Sequence, residues 1–206
     1  MNRTRRIAFL LVAFLALLAG PTRAADLLDA PMSFSATRTV TVNGKVYTGP
    51  MFHMPGHERH EQALLGMQEV FLLDNQQSAA MLVMSALKTE VDFPFPPLMT
   101  SLLDPSLVKS AVGEETIDDI PATKYRVAKT APDGTRGEGF LWISRRGVLL
   151  KIDGAVTAPG GHRTVIQMVL SEVKEAPQPP ALFTPPEGFS KLPAEALAPL
   201  LGWKLQ

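Results

Sequence analysis

The chain contains no cysteine. That excludes disulfide staples, a thiol nucleophile and the lipid anchor that requires a cysteine behind an export signal. The fold must therefore rest on its own core. Neither sign of charge is in excess, because 20 Lys and Arg are balanced by 20 Asp and Glu. The basic footprint of a nucleic-acid binder is thus missing. Catalytic signatures are missing too: there is no G-x-S-x-G elbow and no phosphate loop. The paired acids at 114–115 and 118–119 sit beside turns, where solvated carboxylates are common, and His162 lies in a Gly-rich turn. The sequence predicts no enzyme and no cofactor.

No apolar run reaches the roughly 20 residues that span a bilayer. The run from Ile7 to Ala19 is about thirteen residues long, follows Arg3, Arg5 and Arg6, and precedes Thr22 and Ala24 at small-residue positions. This is the pattern of a secretory signal peptide over residues 1–24. It predicts a single mature domain over 25–206, located in the periplasm and not lipid-anchored. Removing residues 1–24 takes away four arginines and no acid, so the formal charge becomes 16 − 20 = −4.

What the mature chain does have is alternation. In "SFSATRTVTV", Phe34, Ala36, Val40 and Val42 fall on one face, with Ser and Thr on the other, the period of a half-buried strand. Asn43-Gly44 is a hairpin signal, so "KVYTGPMFHM" should return antiparallel, with Pro50 pointing to an edge or a bulge. Further strands are expected over 58–65, 68–73, 79–85, 87–93, 112–117, 123–129, 135–144, 148–153 and 163–174, about eleven in all. Pro97 can open a short helix that pairs Leu98 with Leu102 at i,i+4 spacing. "EAPQPPALFTPPEGF" reads as an extended surface segment, and "PAEALAPLLG" as a terminal helical turn. A single antiparallel sheet this long should curl, with too little helix to fill its inner face.

The stretch "HMPGHERHE" concentrates three of the four histidines. Pro55-Gly56 is turn chemistry, so His53 closes one strand and His57 opens the next. On that strand His57, Arg59 and Glu61 share one face, while Glu58 and His60 share the other. The zincin motif needs His-Glu-x-x-His on a helix, which neither the order nor the expected strand supplies. Three readings stand: a hydrophilic strand start, a metal site using His53, His57 and His60, or Arg59 as a single functional side chain. The mature chain also carries eight methionines, which suit irregular apolar surfaces. Ten buried methylenes, at about 0.8 kcal/mol each, would give about 8 kcal/mol gross, so a modest apolar groove suffices for a carrier.

Several segments together resemble a known family. "MPGHERHE" is similar to the strand start with a central arginine in the outer-membrane lipoprotein carriers (LolA-like proteins) and their periplasmic relatives. "VGEETIDDIPATKYRV" resembles the Gly-x-Glu…Ile-x-x-Ile-Pro-Ala-x-x-Tyr hairpin of those relatives, and "GEGFLWISRRGVLLKIDG" their Trp-Ile-Ser…Gly strand pair. "ALFTPPEGFSKL" is similar to their Leu-Phe-x-x-Pro-x-Gly-Phe/Tyr ending. The resemblance spans residues 33–192. It implies an incomplete β-barrel, a single curved antiparallel sheet with one or two short helices at its concave side. It also implies an apolar ligand there: a small molecule, lipid acyl chains or a lipoprotein. Candidate lining residues on strands are Phe52, Phe71, Met81, Met84, Trp142 and Met168, with Leu98 and Leu102 from the helical segment. Arg59 matches the arginine that helps latch the carriers' lid, so the resemblance gives it a gating role. Binding of another envelope protein, as a scaffold or sensor, is the alternative.

Overall fold

In the computed structural model the described residues are 29–64, 66–95 and 107–193. The expected signal peptide, the helix carrying Leu98 and Leu102, and residues 194–202 of the expected terminal turn lie outside them. Among the described residues no helix is long and apolar enough to cross a membrane.

Two antiparallel meanders make the fold. The first is β1 (Phe34–Val42), β2 (Lys45–Met54), β3 (His57–Leu64), β4 (Met67–Asp74), β5 (Ala79–Met84) and β6 (Thr89–Pro94). The second is β7 (Lys109–Ile117), β8 (Ile120–Thr130), β9 (Arg136–Ser144), β10 (Leu149–Thr157) and β11 (Arg163–Glu175). A short β12 (Ser190–Leu192) runs parallel to β6. Pairing of β1 with β11 joins the meanders into one 12-stranded sheet, β12-β6-β5-β4-β3-β2-β1-β11-β10-β9-β8-β7, whose two edges do not meet. The expected fold, one long antiparallel sheet left open, is the fold observed.

The local chemistry explains the turns. Asn43 and Gly44 both take positive φ, 48° and 84°, as the expected two-residue hairpin requires. Asp74 accepts the amides of Gln76 and Gln77 at 3.0 and 2.9 Å, closing the β4–β5 turn. Of the edge or bulge expected at Pro50, the edge is not what the structure shows. β2 is an interior strand, but its ladder with β3 runs only from Met51 to Met54, so Pro50 opposes Thr37 of β1 where no β3 partner waits for an amide. β12 was not legible because three residues are too few to show a period.

The sheet curls. Laid flat, at about 4.8 Å per strand, β3 and β10 would stand about 19 Å apart. Yet His60 of β3 and Leu149 and Ile152 of β10 face one cavity of about 210 Å³. Glycines allow the close approaches that go with this curl. A Cβ at Gly49 would lie 1.9 Å from the Glu61 carbonyl oxygen, and Gly139 and Gly154 face each other across β9 and β10, where a Cβ would lie 2.4 and 2.6 Å from the nearest carbonyl oxygen.

The largest core cluster gathers Phe34, Met51, Trp142, Val148, Leu150 and Leu170 from both meanders. Leu150, at 0% exposure, is wholly buried within it. A second cluster of Leu82, Met84 and Val91 packs with Phe71, Phe93 and Leu192, tying β12 to the first meander.

Candidate functional site

The register of the β2–β3 hairpin decides what "HMPGHERHE" becomes. His53 opposes Glu58, and Met51 opposes His60, so these four side chains share the inner face. Phe34 opposes His53 across β1 and stacks on its ring at 4.9 Å between centroids. The same face of β1 carries Ala36, Arg38 and Val40. Phe34, Arg38, Val40, Met51, Ile152, Ile166 and Met168 wall the cavity of about 210 Å³, and Ala30 closes on it from the segment before β1.

Polar atoms in this apolar wall form one connected group. His53, 1% exposed, places Nε2 at 2.9 Å from the Ala30 carbonyl. A carbonyl only accepts, so Nε2 carries the proton and donates. Asp29 reinforces that tether by accepting the Gly56 amide at 2.7 Å. The other ring nitrogen, Nδ1, is buried without a hydrogen-bond partner and stands 3.7 Å from Glu58 Oε1. His60 donates from Nε2 to Glu58 Oε2 at 2.7 Å. Arg38 donates from Nη2 to Gln62 Oε1 at 2.8 Å.

The charges follow. Burial alone would raise the Glu58 pKa, but the hydrogen bond from His60 and the neighbouring His53 imidazole overcome it and hold the group at about 2. Burial pushes His53 down, yet Glu58, the Ala30 carbonyl and Asp29 outweigh it, and its pKa is raised. His60 goes the other way: burial, with Arg38 nearby, outweighs Glu58 and lowers it. Burial also lowers the Arg38 pKa, from a value so high that the guanidinium remains charged. The cavity thus presents one cation, one ionised carboxylate, a histidine biased towards its charged form and one biased towards neutrality.

The opposite face of β3 carries the rest of the stretch. Arg59 pairs with Glu61 at 2.7 Å and donates from Nη1 to the Leu182 carbonyl at 3.0 Å. Leu182 lies in a 3-10 turn, Pro180–Phe183, that crosses this face. His57 meets Phe183 at 6.2 Å between ring centroids. A groove of about 530 Å³ beside them is lined by Leu72, Met81, Phe93, Phe183 and Pro185.

The residues singled out from the sequence therefore separate. Met168 lines the cavity. Met81 lines the groove on the other face, and Phe52, opposite Arg59, is half-buried on that face. Phe71 and Met84 pack into the β4–β6 cluster. Trp142, 2% exposed, belongs to the main core; its indole donates to Glu115 at 2.7 Å, and the Lys124 and Lys151 ammonium groups lie 4.8 and 4.3 Å from its ring. Leu98 and Leu102 lie outside the described residues. His53 and His60 flank one carboxylate, whereas His57 faces away; among the described residues no group of three or more His, Cys, Asp or Glu is arranged to hold a metal ion. Arg38 was missed, although "SFSATRTVTV" places it in phase with Phe34, Ala36 and Val40. An arginine on the apolar phase of a strand is the signal that would have found it.

No family model matches the sequence, and no curated protein does either. Solved structures match in fold. An uncharacterised conserved protein from Thermus thermophilus aligns over 83% of this chain and 94% of its own, with a TM-score of 0.53 and 13% identity. MucB aligns over 82% of this chain at a TM-score of 0.51 and 18% identity, and this chain spans only 62% of its length. A LolA superfamily protein from Nitrosomonas europaea aligns over 79% of this chain and 94% of its own, at a TM-score of 0.42 and 11% identity. At these identities what the first two share with this chain is the fold.

Proposed function

We propose that this is an exported, periplasmic, non-enzymatic binding protein that takes an acyl chain into the concave face of its open sheet. The observation that carries the reading is the cavity of about 210 Å³ on that face, walled by Phe34, Val40, Met51, Ile152, Ile166 and Met168. The sheet around it is open, because its two edge strands do not pair. Each methylene moved from water into such a wall contributes about 0.8 kcal/mol, so a short chain reaches useful affinity after ordering costs are met. Arg59, by holding the Pro180–Phe183 turn against β3, stabilises the outer wall behind the cavity in this reading. The test is native mass spectrometry of protein purified from the periplasm, with titration of a fluorescent fatty acid. Co-purifying lipid and saturable binding are expected; lipid-free protein that also ignores the probe overturns the reading.

A second reading is supported by the free edge. β7 is the last strand of the sheet and is exposed along most of its length, which leaves its amides and carbonyls able to pair with a strand of another protein. MucB, similar in fold, has also been solved in complex with MucA(peri). In-cell crosslinking from a residue placed on β7 that returns one stoichiometric protein would favour this reading over the first.

A further inference from the structure

The inner wall holds a half-buried cation that, among the described residues, has no ion-pair partner. Arg38 lines the apolar cavity, and among the described residues no carboxylate lies within ion-pair distance of its guanidinium; the one hydrogen bond it makes is to the neutral Gln62 amide. The nearest acid on this face, Glu58, already accepts from His60 at 2.7 Å and faces His53 Nδ1 at 3.7 Å. His53 Nδ1 is itself buried on the same wall and without a hydrogen-bond partner. A guanidinium with no ion-pair partner, beside a buried ring nitrogen with no hydrogen-bond partner, leaves polar capacity on an apolar wall for a ligand to complete. A guanidinium has five N–H groups in a planar fork that matches a carboxylate or a phosphate, and it forms charge-assisted bonds about twice as strong as neutral ones.

Resting on the reading of the cavity as an acyl-chain site, we propose that its ligand is a single-chain amphiphile with an anionic head, and that Arg38 recognises that head. The tail lies along Phe34, Val40, Ile152, Ile166 and Met168. The volume of about 210 Å³ equals about seven water volumes at about 30 Å³ each. That suits one short chain or the upper part of a longer one. A diacyl lipid would have to leave most of its apolar surface outside.

The experiment uses the mature chain and three probes of equal tail length: decanoate, decyl phosphate and decanol, titrated by calorimetry at pH 7. Wild type should bind at least one of the two anions ten-fold or more tighter than decanol, and the tighter of the two identifies the head as carboxylate or phosphate. Arg38→Gln should bring anion and alcohol to within about two-fold of each other, with Arg38→Lys in between, because an ammonium keeps the charge and loses the fork. Equal affinity of wild type for all three overturns the proposal while leaving the acyl-chain reading intact. Retention of the anion preference by Arg38→Gln overturns the role of Arg38. Failure of wild type to bind any of the three, decanol included, overturns the acyl-chain reading and this proposal with it. The wild-type comparison needs no variant, so a variant that fails to fold does not block the test.

Discussion

Glu58→Gln is the perturbation that reports most directly on the cavity wall. The carboxylate accepts His60 Nε2–H at 2.7 Å and stands 3.7 Å from His53 Nδ1. Burial opposes its charge, the two imidazoles favour it, and the balance carries its pKa from an ordinary 4.5 to about 2. That displacement is worth roughly 3 kcal/mol. Because the folded pKa lies below the unfolded one, the contribution is complete above about pH 4.5 and drains away as the pH falls towards 2. Glutamine keeps the shape and removes the charge. Urea unfolding at pH 7 should show the variant less stable by roughly 3 kcal/mol, on the order of 6–12 °C in Tm for a domain of this size. The gap should narrow steadily below pH 4.5, as the wild-type carboxylate takes up its proton. His53 supplies an independent readout, since its raised pKa depends in part on Glu58: its imidazole resonances should titrate at lower pH in the variant. A gap that is absent at pH 7, or that persists undiminished at low pH, refutes the electrostatic account of this wall.

Other substitutions test the frame. Gly49→Ala places a methyl 1.9 Å from the Glu61 carbonyl and should cost about 3 kcal/mol or more in chemical denaturation. Gly113→Ala, with open space around the new atom, should stay within about 0.5 kcal/mol. Trp142→Phe loses the indole bond to Glu115 at 2.7 Å and should lower stability by about 2 kcal/mol in the same assay. Arg59→Ala frees the Leu182 carbonyl; limited proteolysis around residues 180–183 should accelerate, with about 1 kcal/mol lost in unfolding.

Much of the sheet was legible because its strands are half-buried and alternate, and because Asn43-Gly44 and the Pro55-Gly56 turn punctuate them. Parity within His57–Glu61 was legible for the same reason: side chains on a strand alternate whatever the strand pairs with. Which face would be concave was not. That depends on pairing between β1 and β11, which no local pattern announces. Parity therefore separated Arg59 from Glu58 and His60 without saying which group would meet the cavity. Methionine content was a weak guide to lining, since Met84 and Met168 are equally apolar and only their strands' places in the sheet send one to a core cluster and the other to the cavity.

The seam between the two meanders sets an order of assembly. β1 takes β2 as one neighbour almost at once, through a two-residue turn, but its other neighbour is β11, and the Thr37–Glu172 bond across that seam links residues 135 positions apart. As the chain emerges from its N-terminal end, the first meander can form while one flank of β1 stays bare. Only the last long strand covers it, so closure is slow and non-local. Until then the unpaired amides and carbonyls along that flank of β1 can pair with a strand of another chain.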